Sequence, residues 1–196
     1  NQKLTVIGIT SGGPLEKIIT NAKQPVIHLT KNRPPRTCFG EIFAAQVTLA
    51  LKLKILHLPE NKTENMKKWL NQEVEKHDVQ KNPKSELVEL SRTVAGAPIA
   101  VFSPTTLAPS SYRLRTQINE NAETFVRDSV LPEAHHNEIV AWGSSNQDLP
   151  QQAVLFFDDN DIKGNLRERI EWTIKHGVQS PCVWRLILEG KNLYEK

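Results

Sequence analysis

The stretch "LTVIGITSGGPLEKIITNAKQPVIHLT", residues 4–30, restricts the fold more than any other part of the chain. Residues 4–10 and 25–30 are short apolar runs rich in β-branched residues, as buried strands are. Between them Ser-Gly-Gly breaks the first run and "PLEKIITNA" follows with helical spacing. Strand, glycine turn, short helix and strand make a βαβ unit, whose parallel strands need a crossover connection. The fold class is therefore α/β.

The alternation continues. After "KNRPPRT", residues 38–56 carry Phe39, Ile42, Phe43, Val47 and Leu51 at three- and four-residue steps. This predicts a long, mostly buried helix and a candidate subunit interface. Residues 58–92 are polar, with Met66, Leu70 and Val74 as one thin stripe, and read as a solvent-facing helical pair whose second member follows "NPKS". Strands are expected at 97–103, 137–142, 153–159 and 183–190. Helices are expected from Ser110 to Arg127 and over 165–177, the latter ending at Gly177. There is no internal repeat.

With 196 residues, 38% of them hydrophobic and 24% charged, the chain is long enough for one globular domain. No apolar run approaches the roughly 18 residues of a membrane span, and no signal peptide is visible. The 25 basic and 22 acidic residues are interspersed, so the net charge of +3 forms no nucleic-acid stripe. Cys38 and Cys182 stand far apart without a CxxC pair and read as reduced packing residues of a cytoplasmic protein. A strand beginning at Leu4, a single methionine at Met66 and the closing "LEGKNLYEK" read as part of a longer polypeptide.

Two stretches carry candidate chemistry. "TSGG" sits where a strand meets a helix, and helix N-termini attract anions, yet it is neither GxGxxG nor GxxxxGK[ST]. Glycines are needed in any such tight turn, which is the plainer reading, and Ser11 stays a candidate for lining a cleft at the carboxyl ends of the strands. The second stretch is "PEAHHNEIVAW", residues 132–142. A metal site is disfavoured there, because adjacent His135 and His136 diverge and HExxH spacing is absent. No serine elbow supports a nucleophile. Upstream, "QINENAE" places Glu120 opposite the stripe of Leu114, Ile118, Ala122 and Phe125. The ordinary reading there is a solvated face with a Glu123–Arg127 pair. The alternative is acid–base chemistry by a glutamate on a polar helix face and a histidine.

"RLRTQINENAE" followed by "VLPEAHHNEIVAW" resembles the signature of the bifunctional phosphoglucose/phosphomannose isomerases, whose C-terminal half is a sugar isomerase (SIS) domain. "VIGITSGGPLEK", "RPPRTCFGEIF" and "NPKSELVELSRTVAGAPIAVF" agree with the same pattern, so the resemblance covers nearly the whole chain. It implies a flavodoxin-like parallel sheet flanked by helices in three layers. It also implies a single SIS-like domain over residues 1–196, the C-terminal part of a two-SIS-domain protein whose extreme C-terminus lies beyond this chain.

The implied reaction is metal-free interconversion of glucose 6-phosphate or mannose 6-phosphate with fructose 6-phosphate, without a cofactor, in a cytoplasmic homodimer serving glycolysis and gluconeogenesis. Residue by residue, the resemblance makes Glu120 the base between C1 and C2 and His136 the ring-opening histidine. It makes Arg36 the cation facing the enediolate, while Ser11 is a substrate-binding candidate from its place in the glycine turn. His135 has no counterpart. The family's serine- and threonine-rich phosphate loop and its C-terminal lysine are missing here, so these residues alone lack a complete site. In the family the site lies between subunits. The competing reading is a non-catalytic SIS module that binds a sugar phosphate and regulates a partner.

Overall fold

The computed structural model describes residues 4–143 and 152–190. The chain forms two compact units, residues 1–64 and 65–196.

In the first unit, strands β1 (Gly8–Thr10) and β2 (Val26–His28) pair in parallel, joined by helix α1 (Gly13–Asn21). The βαβ reading of residues 4–30 thus holds, with shorter strands. Gly12 and Gly13 have φ of 132° and 78°, backbone open to glycine at little cost, and Thr10 Oγ1 accepts from Gly12 N–H at 3.2 Å. The turn itself accounts for both glycines. A 3₁₀ turn, Pro35–Thr37, leads into α2 (Phe39–Lys52). Here the expectation is corrected, because no residue of α2 is buried. Phe39 and Phe43 stack on each other with centroids 5.9 Å apart.

The second unit takes in most of α3 (Glu60–Lys76), then α4 (Glu86–Val94), β3 (Ile99–Pro104), α5 (Ala108–Asn121), β4 (Val126–Leu131), α6 (Glu138–Trp142), β5 (Ala153–Asp158), α7 (Asn165–Trp172) and β6 (Cys182–Ile187). The four strands pair in parallel in the order β4-β3-β5-β6. β3 and β5 are buried along their whole length, which is why they read as unbroken apolar runs.

Strand alternation divides the core in two. Ala100, Phe102, Val154 and Phe156 face Ala134, Trp142 and Ile170 on the α6 and α7 side. Ile99, Val101, Leu155 and Phe157 face Leu90 of α4 together with Leu114 and Ile118 of α5. Helix, sheet and helix are the three layers of the expected α/β architecture.

Two boundaries differ from expectation. Residues 126–131 are a strand, not the tail of a helix, and Glu123, at φ 50°, stands in the turn before it. Residues 138–142 are a helix capped by the Asn137 side chain, not a strand. A five-residue apolar run with β-branched members fits either state. The parallel order decides, since consecutive parallel strands need a crossover between them.

Candidate active site

The "PEAHHNE" segment leaves the carboxyl end of β4, where open α/β sheets gather their ligands. It is a polar loop, but one that follows a strand and precedes a helix. A 3₁₀ turn, Glu133–His135, buries Ala134 to 4% exposure and sends the two histidines in different directions.

His135 turns inward. Arg169 Nη1 donates to its Nδ1 at 3.1 Å, which puts the ring proton on Nε2, 2.5 Å from Thr173 Oγ1. The Thr173 hydroxyl donates to the Arg169 carbonyl at 2.6 Å, so its oxygen is free to accept from the histidine. Burial pushes the His135 pKa below its ordinary value and the Arg169 charge lowers it further. Thr173 is fully buried and opens a π-helical turn, Thr173–Gly177, at the end of α7. His135 therefore ties the loop to α7 as a neutral imidazole. With Ile139, Asn165, Glu168, Arg169 and Trp172 it lines a cleft of about 650 Å³.

His136 turns outward. It is exposed, and among the described residues its ring makes no hydrogen bond. The loop then closes through Glu138, whose carboxylate accepts from Arg127 Nη1, from Ser129 Oγ and from Trp142 Nε1, the last at 3.2 Å. Arg127 thus pairs with Glu138 and not with Glu123, because residues 126–131 are strand rather than helix. That strand carries Arg127 and Ser129 on one face, two residues apart. Among the described residues, no three His, Cys, Asp or Glu side chains gather as a metal ion would require.

Glu120 is exposed in the last turn of α5. Its neighbour Asn119 donates to the Val126 carbonyl at 3.2 Å and accepts from the Val126 N–H at 2.7 Å, which pins this end of α5 to the amino end of β4. His136 lies beyond the other end. A six-residue strand spans about 17 Å, so one chain does not bring Glu120 and His136 together. In the first unit, Ser11 is exposed in the glycine turn and Arg36 is exposed on the 3₁₀ turn before α2.

Sequence reasoning missed a four-residue charge network. Asp158, at the end of β5, accepts from Arg167 Nη1 at 2.6 Å and Arg185 Nε at 2.5 Å, and both arginines also reach Glu171. Burial alone would raise the Asp158 pKa, but the hydrogen bonds from Arg167, Asp159 N–H and Arg185 outweigh it and hold the carboxyl below its ordinary value. The first Asp in "LFFDD" with an arginine on the next helix was its one sequence signal.

The family model described as the bacterial phospho-glucose isomerase C-terminal SIS domain matches residues 83–192, more than half of the chain. The bifunctional phosphoglucose/phosphomannose isomerase of Aquifex aeolicus is 28% identical over 155 residues, covering 78% of this chain and 44% of that protein. The D-glucosamine-6-phosphate 4-epimerase of Sulfolobus acidocaldarius is 29% identical over 150 residues, covering 74% of this chain and 45% of that protein. This chain thus spans less than half the length of either relative. A solved structure of a candidate sugar-binding protein from Salmonella typhimurium LT2 superposes with a TM-score of 0.55 at 14% identity, over 98% of this chain and 64% of that one. At that identity the likeness speaks for the fold alone.

Proposed function

Because the chain belongs to the family of bacterial phospho-glucose isomerase C-terminal SIS domains, we propose that it is part of a sugar-phosphate isomerase converting glucose 6-phosphate and mannose 6-phosphate into fructose 6-phosphate. The observation that carries this reading is the pair of exposed acid–base groups that find no partner among the described residues: Glu120 within "NEN" and His136 within "HHNE".

In the proposed reaction His136 delivers a proton to the ring oxygen as the C1–O5 bond breaks, and takes up the proton that the C1 hydroxyl releases as C1 becomes a carbonyl. The Glu120 carboxylate then takes the C2 proton, the electron pair moves into the C1–C2 bond, and a cis-enediolate forms. Return of that proton to C1, with the O2 hydroxyl proton passing to O1, gives the ketose. In the reverse direction, delivery to one or the other face of C2 gives the glucose or the mannose epimer. A fixed guanidinium, assigned to Arg36, suits the charge that develops on oxygen, and Ser11 is assigned to substrate binding. No step calls for a metal or cofactor.

Since Glu120 and His136 sit at opposite ends of β4, the reading requires a homodimer in which the histidine of one copy serves the glutamate of the other. We further assign both compact units to one SIS-like domain of a longer, two-SIS-domain cytoplasmic protein. Mixing Glu120→Gln and His136→Ala subunits of the full-length protein tests the arrangement. Each mixed dimer regains one intact site, so recovery of about a quarter of wild-type activity is expected from random pairing of two strongly impaired parents. No recovery from mixed dimers contradicts it.

A second reading is favoured by the similar identity, 29% against 28%, to the 4-epimerase, which acts at a different carbon of a related sugar phosphate. Fructose 6-phosphate and glucosamine 6-phosphate offered to the full-length protein separate the two. Binding of either without turnover points instead to a non-catalytic module.

A further inference from the structure

We propose that Glu138 is a positioning residue for His136, resting on the isomerase reading above. The loop between β4 and α6 is fixed at two points. On one side Ala134 is buried and the His135 ring is locked against Thr173 and Arg169. On the other side stands the Glu138 carboxylate, only 18% exposed. A carboxylate offers about four acceptor sites, and three donors of different kinds fill most of these: a guanidinium, a hydroxyl and an indole N–H.

The donors come from two elements. Arg127 and Ser129 lie on one face of β4, and Trp142 lies one helical turn beyond Glu138 in α6. Arg127 is held in turn by Gln152, whose side-chain oxygen accepts from its Nε at 3.1 Å, and its guanidinium lies 5.6 Å from the centre of the Trp142 ring. The Glu138 N–H also donates to Asn137 Oδ1 at 2.6 Å, closing the cap of α6. A helix of five residues has no stability of its own. Its place on the sheet comes from this clamp and from the burial of Trp142.

His136 stands two residues before Glu138 with an exposed ring that no side chain among the described residues braces by a hydrogen bond. Its direction is therefore set by the backbone between the two anchors. Glu138 is engaged on both oxygens and partly buried, so it acts through His136 and not on substrate.

The test is a double-mutant cycle in the full-length protein with fructose 6-phosphate. Glu138→Gln keeps the shape but faces Arg127 with an uncharged amide. A displaced catalytic group costs up to about 100-fold in rate, so kcat is expected to fall about 10- to 100-fold with KM within about twofold. In the His136→Ala background the same substitution should cost nothing further. Ser129→Ala, which removes one donor and spares the ion pair, gives a smaller loss that likewise vanishes without His136, and serves if Glu138→Gln does not fold. An equal loss in both backgrounds overturns the proposal in favour of a purely structural clamp. A normal kcat for folded Glu138→Gln beside an impaired His136→Ala also overturns it, and leaves the isomerase reading standing. A normal kcat for His136→Ala removes the role of His136 itself, and the proposal with it.

Discussion

Replacing Asp158 by Asn tests whether the charge network at the end of β5 holds the second unit together. The side chain is 2% exposed, and its oxygens accept from Arg167 Nη1 at 2.6 Å, Arg185 Nε at 2.5 Å and Asp159 N–H at 2.6 Å. Breaking a buried ion pair by removing one partner costs about 3–5 kcal/mol, because the other charge is left unpaired. Arg167 and Arg185 are 24% and 33% exposed and keep Glu171, which places the cost near the low end, about 3 kcal/mol. With a urea slope of about 2 kcal/mol/M, the midpoint drops by about 1.5 M.

All four tryptophans, Trp69, Trp142, Trp172 and Trp184, fall within residues 65–196, so their fluorescence reports on this unit. The pH dependence has a definite sign. The folded Asp158 pKa lies below its ordinary value. Its contribution is therefore complete above the unfolded pKa of about 3.9 and disappears as pH falls through the lower folded value. The gap between wild type and Asp158→Asn should be full at pH 6 and close in strong acid. An unchanged midpoint at pH 6, or a gap that persists in acid, refutes the reasoning.

Three further outcomes follow from the geometry. A methyl group at Gly177 would lie 2.6 Å from Ile139 Cδ1, 3.0 Å from Trp172 Cζ3 and 3.2 Å from Thr173 Cγ2, so Gly177→Ala should destabilise by about 1–3 kcal/mol. An unaltered melting temperature speaks against that close approach of α6 to the π-helical turn. His135 should be less protonated than a free imidazole at about pH 6.5, with the neutral ring carrying its proton on Nε2, as read from ring ¹⁵N shifts. A His135 that titrates at or above that pH contradicts the lock. Finally, chelators should leave the turnover of the full-length protein unchanged, and inhibition reversed by a divalent ion would falsify the metal-free mechanism.

Physical reasons explain where the sequence was legible. β3 and β5 were plain because both faces are covered, which leaves continuous apolar runs with no competing pattern. β4 was hidden because it lies at one edge of the four-stranded sheet and carries Arg127, Asp128 and Ser129 in its middle. Ala122 and Phe125 also prolong the spacing of the preceding helix. Once β4 was missed, the Arg127–Glu138–Ser129 clamp was out of reach, since it depends on the two-residue period of a strand. α6 was misread because a short run such as Ile139-Val140-Ala141-Trp142 has no period long enough to choose between states. Glu120 and His136 came from family resemblance, not from periodicity. The division of labour between the two histidines became legible only when Arg169 and Thr173, more than thirty residues away, were placed beside His135.

The central claim is best tested by following fructose 6-phosphate by NMR with the full-length wild-type protein and its Glu120→Gln variant side by side. The account predicts glucose 6-phosphate and mannose 6-phosphate from the wild type, and turnover at least about 100-fold lower from a folded variant, as loss of a general base entails. Near-normal turnover by Glu120→Gln, or no conversion by a folded wild-type protein, would contradict it.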